Sequence, residues 1–565
     1  MLDERRIVTE LPSFPDEVTL FQAVGILGTL DRPKNQSQLM ERTSIHDPVV
    51  RVWALSSLIA KAARVDGNLL VMAMHVARRS AHLRQLLLPR FLSTFRFDLV
   101  NKLQELEEAS LESEKDLHLK MMEATLQNDY EAQVLLHERL YLMTGNPKHV
   151  TDARDIARSR LNWSKALKPM LRAIFTHTEP LQASLIGLLR MLEREDARDQ
   201  FKLFAQVIRP NEEARLASIY AFAQMHYWDK QYQKCIQVLE KSNALKLTKD
   251  KLSILNALVA NAYEKDGDYE NAAKWYQLQN EALKQKNLKP ERYIADLENR
   301  AGWPVPKLPE DKNDNYFIMT GFPRSGTTLL ENALSSHPKV MACEETSSLI
   351  GSIFTAYKSP MSADPDGKNI GLRGVAHRQL YYQNLTRYVN KPDVQAIIDK
   401  TPIIGSNIKY MEKIFPSKKY IFSIRHPYDV VLSNWKQDYA QNIAMTAFND
   451  IHTSCVLYNH VMSDWFEVFP GKTDRVYYIK YDELVNDFDA VIGGALDFLG
   501  VEWTDEVRNF AENASKRAVR TPSYANVRKG LSLGVQSSWQ NFEFLFDEEC
   551  RKLLDPWVER FEYAA

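Results

Sequence analysis

Cysteine is scarce and scattered in this chain of 565 residues: Cys235, Cys343, Cys455 and Cys550 form no CxxC pair. Neither a zinc site nor a disulfide framework is suggested, and the usage fits a reducing compartment. Charge of one sign is missing too, since 72 basic residues face 73 acidic ones. No nucleic acid or other polyelectrolyte partner is implied, and any anion must be held by a local cluster. No apolar run approaches the roughly 20 residues that span a bilayer, so no membrane insertion is expected. The first residues, Met-Leu-Asp-Glu-Arg-Arg-Ile-Val, lack the apolar segment of a signal peptide. A soluble, cytoplasmic protein is the expectation.

Glycine and proline are sparse before Asn299 and fall mostly between periodic segments, as at Gly145-Asn146-Pro147. Val49–Ala63, Leu69–Leu88, Leu117–Met143 and Thr151–Phe175 carry apolar residues at three- and four-residue spacing, which predicts helices. Charge runs such as Glu105–Glu114 read as solvated helix faces. Ala260–Tyr276 resembles a tetratricopeptide helix–turn–helix, with Gly267 ending one helix, Tyr269 at the turn and Ala272 where the helices touch. An earlier copy, His226 to Leu239, aligns Tyr232 with Tyr269 and Cys235 with Ala272, a separation of 37 residues. Residues 1–300 are therefore expected to be an all-α, tetratricopeptide-like solenoid. Its concave surface would hold a protein or peptide, or serve only for packing or homodimerisation.

The Pro-rich, then charged, stretch of residues 301–313 reads as a linker. Beyond it short apolar runs alternate with helices, the pattern of an α/β domain with a central parallel sheet over residues 314–565. At its start, Tyr316–Met319 reads as a buried strand, Gly321-Phe322-Pro323-Arg324-Ser325-Gly326 as a turn, and Thr327 onward as a helix. Successive backbone N–H groups and a helix N-terminus then face one anion. Gly321 and Gly326 keep P-loop spacing, but Thr327 stands where a P-loop carries its Lys. The cation is Arg324, suited to a bidentate hold on phosphate or sulfate. A kinase or triphosphatase would want the missing Lys and an Asp at a strand end for magnesium, and no such Asp is evident.

Pro323-Arg324-Ser325-Gly326-Thr327-Thr328-Leu329-Leu330 resembles the 5′-phosphosulfate loop of sulfotransferases that use 3′-phosphoadenosine-5′-phosphosulfate (PAPS). Lys419–Ser433 supplies that family's next element: a strand ending in Arg425, with Ser433 eight residues later, to hold the 3′-phosphate. Asp399-Lys400-Thr401-Pro402 resembles the Lys-bearing strand end near the transferred sulfate. Lys480-Tyr481-Asp482-Glu483 resembles a segment in which Tyr481 either contacts nucleotide or is a core tyrosine. Val527-Arg528-Lys529-Gly530 resembles the element that closes on the 3′-phosphate, with Ser537 following shortly before Trp539. The whole is similar to bacterial sulfotransferases that carry tetratricopeptide repeats.

Transfer needs a base beside the phosphosulfate. Cys343-Glu344-Glu345-Thr346 is similar to tyrosylprotein sulfotransferases, whose base matches Glu345; Glu344 then reads as a supporting or loop residue, and His337, before Pro338, as structural. The resemblance implies that Arg324, Ser325, Gly326, Thr327 and Thr328 cradle the phosphosulfate. It also implies that Lys400 and Ser537 stabilise charge at the sulfuryl group, and that Arg425, Ser433, Arg528, Lys529 and Gly530 hold the product adenosine 3′,5′-bisphosphate. No metal is required. Tyrosine in a protein or peptide is the favoured acceptor, and a carbohydrate or small-molecule hydroxyl the alternative. Lys358–Arg378 reads as an acceptor loop or lid. A P-loop kinase and an inactive repeat scaffold are the rival classes.

Overall fold

The computed structural model describes residues 39, 47–61, 67–93, 113–127, 129–178, 180–208, 214–240, 249–285, 287–302, 307–310, 313–346, 348–349, 351–352, 370–389, 391, 393–510 and 538–563. Two compact units divide after Met225. No helix among the described residues is long and apolar enough to cross a membrane.

The first unit is helical throughout its described residues. Three of the expected long helices are each two, because a capping side chain interrupts them. The Leu69–Leu88 stretch breaks into Gly67–Ala77 and Ala81–Ser93 at Ser80, whose hydroxyl accepts from the Leu83 N–H at 3.1 Å. Leu117–Met143 breaks at Asp129, which accepts from the Ala132 N–H at 2.9 Å between helices Glu114–Leu126 and Tyr130–Thr144. Thr151–Phe175 breaks at Asn162, the cap of Trp163–Phe175, after helix Lys148–Arg160. An apolar stripe continues across a helical hairpin because both arms face one core, so periodicity alone does not see the break. The arms are braced by Arg172, buried, with Nε 2.7 Å from Asp47 Oδ2 and Nη1 2.7 Å from Glu138 Oε2. Glu105–Glu112 lies outside the described residues.

The second unit holds a five-stranded sheet, every pairing parallel: β1 (Tyr316–Gly321), β2 (Val340–Glu344), β3 (Ala396–Lys400), β4 (Lys419–Ile424) and β5 (Val476–Lys480). Their order is β2-β3-β1-β4-β5. The inner strands β1, β3 and β4 are buried on both faces, as parallel strands covered by helices must be, and so read as short apolar runs. Because the chain runs from β1 out to β2, back to β3 and then across to β4, the carboxyl ends of β3, β1 and β4 lie side by side at the switch point. The expected Lys358–Arg378 loop is helical from Ile370 within Ile370–Thr386, where His377 Nδ1 lies 2.8 Å from the Tyr410 hydroxyl; residues 353–369 lie outside the described ones.

The Pro-rich stretch marks a change from helix to sheet, yet the compact unit begins at His226. Helices Lys249–Asp266, Tyr269–Leu283 and Pro290–Ala301 share its core: Ala272, Tyr276 and Tyr293 are buried in one cluster with Ile404, Ile408 and Trp435. Polar contacts lock them in. Asn280 Nδ2 donates to the Trp435 carbonyl at 2.9 Å, Lys436 Nζ lies 2.9 Å from Glu264 Oε1, and the Tyr293 and Ser406 hydroxyls are 3.1 Å apart. A fragment of residues 314–565 would expose this apolar surface, whereas residues 226–565 keep it covered. The longer fragment is therefore expected to melt cooperatively, and the shorter to aggregate or to lack a sharp transition in circular dichroism. Equal melting of the two would contradict the shared core.

Candidate active site

The loop after β1 is built by backbone geometry that few residues tolerate. Gly326, the cap residue of helix Thr327–Ser336, sits at φ +99°, and a side-chain carbon there would lie 2.4 Å from the Tyr481 ring. Arg324 also takes a left-handed φ of +73°, a conformation that a non-glycine residue holds only where its surroundings enforce it. Those surroundings are visible. Asn434 Nδ2 donates to the Pro323 carbonyl at 2.8 Å, and Ser423 Oγ to the Ser325 carbonyl at 2.7 Å. Thr320 Oγ1 accepts from the Gly405 N–H at 2.9 Å and donates to the Pro402 carbonyl at 2.7 Å. The helix that follows leaves its first N–H groups without intrahelical partners. Beside them the Ser325 hydroxyl is buried with no hydrogen-bond partner, and Thr327 and Thr328 are buried. A buried polar atom without a partner costs stability unless a ligand satisfies it. This is the donor set of an anion site.

Two guanidinium groups converge on it. Arg324 Nε donates to Ser433 Oγ at 3.1 Å, so the residue read for the 5′ group and the residue read for the 3′ group touch. Arg425, just past β4, sends Nη1 to within 3.5 Å of the Arg324 carbonyl and lies 5.0 Å from the centre of the Tyr481 ring. Tyr481, half-buried just past β5, thus packs on the loop glycine and under an arginine; it is a loop-lining residue. Burial lowers the pKa of Arg324, and the like charge of Arg425 adds to that, while Tyr439 and Tyr481 oppose it. An anion placed here would relieve both penalties.

At the end of β3 the ammonium of Lys400 is fully buried among three carboxylates. Its Nζ lies 3.2 Å from Glu331 Oε2, 3.5 Å from Glu344 Oε1 and 3.4 Å from Glu345 Oε1. Burial opposes its charge, but the three carboxylates outweigh burial and hold its pKa raised. Lys400 therefore stands behind Glu345 as its counter-charge, and Glu344, read from sequence as a supporting or loop residue, is a second buried partner. Glu345 itself is different: its side chain is 45% exposed while Glu331 is 1% exposed, so it alone reaches the open side. It too has a left-handed φ, +42°, fixed by its N–H donating to the Lys400 carbonyl at 2.7 Å. Strain of this kind, of order 1–3 kcal/mol, clusters at functional sites.

Glu331, Tyr439 and Asn434 carry no sequence signal as site residues. Glu331 reads as one of several polar positions in its helix, yet it is buried against Lys400. Tyr439, whose hydroxyl donates to Asn434 Oδ1 at 2.8 Å, is electrostatically coupled to both Arg324 and Glu345, and burial pushes its pKa up to about 12. Asp399 is the penultimate residue of β3, near where a magnesium ligand would sit, but its Oδ1 accepts from Thr346 Oγ1 at 3.1 Å, and burial raises its pKa to about 6. His337 is tied down at both ring nitrogens: Nδ1 accepts from the Lys339 N–H at 3.0 Å and Nε2 is 2.9 Å from the Glu502 carbonyl. Arg528, Lys529, Gly530 and Ser537 lie outside the described residues. The chain resumes tethered: the N–H groups of Ser538 and Trp539 both donate to Asp429 Oδ1, at 2.9 and 3.1 Å, on the helix that carries Ser433.

Residues 317–505 match the family model described as "Sulfotransferase family", and form a sulfotransferase-family domain. An uncharacterized protein of Aquifex aeolicus (strain VF5) is 27% identical over 262 residues, 43% of this chain and 34% of that protein. Protein-tyrosine sulfotransferase A of Caenorhabditis elegans is 24% identical over 208 residues, 35% of this chain and 53% of that enzyme. The chain thus spans between a third and about half of the length of these curated relatives. Among solved structures, the sulfotransferase domain of the Synechococcus PCC 7002 olefin synthase is 19% identical, covering 46% of this chain and 99% of that one, with a TM-score of 0.28.

Replacing Lys400 with Met is expected to lower stability by about 3–5 kcal/mol, because the buried carboxylates of Glu331 and Glu344 lose their counter-charge. The loss should shrink as pH falls from 8 to 5, since unpaired buried carboxylates take up protons. Urea unfolding at both pH values measures it, and a variant as stable as the parent at pH 8 would contradict the assignment.

Proposed function

We propose that this chain is a sulfotransferase that moves a sulfuryl group from PAPS to an acceptor hydroxyl. The observation that carries the reading is the convergence of Arg324, Arg425 and Ser433 on an anion loop, with an exposed glutamate two strands away on a buried lysine. The domain match over residues 317–505 supports it. The residues present fit the donor: the partnerless Ser325 hydroxyl, the loop N–H groups and Arg324 suit a phosphosulfate, and Arg425 with Ser433 suits the 3′-phosphate.

Bound there, PAPS supplies a sulfuryl group on a phosphosulfate anhydride. Arg324 and the first N–H groups of helix Thr327–Ser336, including those of Thr327 and Thr328, hold negative charge in a fixed orientation, so little reorganisation is needed as charge shifts. Gly326 lets the backbone approach closely, and Tyr481 supports the loop from behind. Glu345 accepts the acceptor's proton on its carboxylate as the oxygen attacks in line. Lys400 holds that carboxylate in place from 3.4 Å, and Glu331 and Glu344 help keep Lys400 charged in turn. Ser537, Arg528, Lys529 and Gly530 are proposed, on the resemblance, to complete the pocket.

For the acceptor we favour tyrosine in a protein or peptide. Glu344-Glu345-Thr346 and the likeness to the nematode protein-tyrosine sulfotransferase support it. The helical half, read as tetratricopeptide-like, is proposed to hold the acceptor chain in a cytoplasmic protein. Labelled-sulfate transfer from PAPS to tyrosine peptides tests the reading. Glu345→Gln is expected to lower turnover by about 10²–10⁴-fold, the usual contribution of a general base, with nucleotide affinity nearly unchanged. Transfer that survives Glu345→Gln would remove Glu345 as the base, and transfer to saccharides in place of tyrosine would redirect the acceptor.

A further inference from the structure

The helical unit contains a second cluster of chemistry-bearing side chains, independent of the anion loop. His137 lies on helix Tyr130–Thr144, and His149 and Asp152 lie one turn apart on helix Lys148–Arg160, which packs against it. One ligand atom from each of the three lies within 4.8 Å of the others. The two Nδ1 atoms face each other at 3.2 Å. With two ring nitrogens that close, at least one presents a lone pair, since two N–H groups would repel. All three side chains are partly exposed, so a solute can reach them.

We propose that His137, His149 and Asp152 form a divalent transition-metal site of the zinc class. A tetrahedral zinc with bonds of about 2.0–2.1 Å sets two ligand nitrogens roughly 3.3–3.4 Å apart. The observed separation of 3.2 Å is close to the edge of such a tetrahedron, and turning the two rings aims both lone pairs at its centre. Asp152 now lies 3.6 Å from Lys148 Nζ, whose side chain is 74% exposed and free to turn into solvent. A small rotation brings the carboxylate onto the ion, and a solvent molecule fills the fourth position. Two imidazoles and one carboxylate suit zinc, cobalt or nickel better than calcium or magnesium, which prefer all-oxygen sets. The ion joins two helices across the turn at Gly145-Asn146-Pro147, so it restrains the helical unit. No cysteine takes part, which is why cysteine spacing gives no hint of it.

Untagged full-length protein is stripped with a chelator and titrated with zinc or cobalt. One equivalent is expected to bind, with cobalt showing the visible absorption of a four-coordinate site and zinc raising the unfolding temperature. The Asp152→Asn variant should lose at least the roughly 10–100-fold in affinity that even a supporting residue costs, and His137→Gln with His149→Gln should bind none. His75→Gln, on another helix, should bind as the parent does. Absence of a bound equivalent in the parent at micromolar free metal would overturn the proposal. So would equal binding by the parent and the double variant. If the double variant fails to fold, the isosteric Asp152→Asn decides between the two results.

Discussion

One buried ammonium holds the candidate active site together. Lys400 lies at the end of β3 with no exposure to solvent, and its carboxylate partners come from the loop helix, from β2 and from the residue just after β2. A lysine there without those partners would be neutral or would not be buried at all. Because Glu331 belongs to the same helix whose N-terminus faces the anion, the ion cluster fixes that helix relative to the strands. Because Glu345 is the one member that reaches solvent, the cluster also places a carboxylate on the open side of the sheet. The position of the proposed base thus comes from that interaction.

The sheet order supplies the rest. Placing β1 between β3 and β4 sets a loop rich in backbone donors beside a lysine on one flank and an arginine on the other. Two arginines held near each other, with Arg324 in a left-handed backbone conformation, cost stability without an anion. That cost is borne by packing outside the sheet: the helical hairpin of residues 249–283 braces the end of the helix carrying Ser433 through Asn280, Tyr276 and Glu264. The helices before the Pro-rich stretch are therefore part of what makes the site rigid.

The anion loop could be read from a local pattern of strand, turn and helix start, whereas Arg425 and Ser433 were picked out through resemblance, since a lone arginine at a strand end is otherwise an ordinary surface cation. Glu345 was legible only through resemblance, since a pair of glutamates after a strand is also what a surface looks like. Glu331, Tyr439 and Asn434 were not legible. Their roles arise where segments distant in the chain meet, and a polar residue within a helix does not reveal its partner. The compact-unit boundary was missed for a related reason. Residues 301–313 announce a change of secondary structure, but cores are defined by which apolar faces meet, and Tyr276, Tyr293 and Leu297 meet the α/β layer. The metal-ligand cluster was hidden because its histidines sit in ordinary helical positions, 12 residues apart, and only the hairpin closes the gap.

The most direct measurement is calorimetric binding of adenosine 3′,5′-bisphosphate, compared with ADP and with magnesium-ATP. The account predicts strong preference for the 3′-phosphorylated nucleotide without added metal, and its loss in Arg425→Ala, because Arg425 and Ser433 are assigned to the 3′-phosphate. Preference for magnesium-ATP, or affinity indifferent to the 3′-phosphate, would contradict it and leave the loop serving phosphoryl chemistry instead.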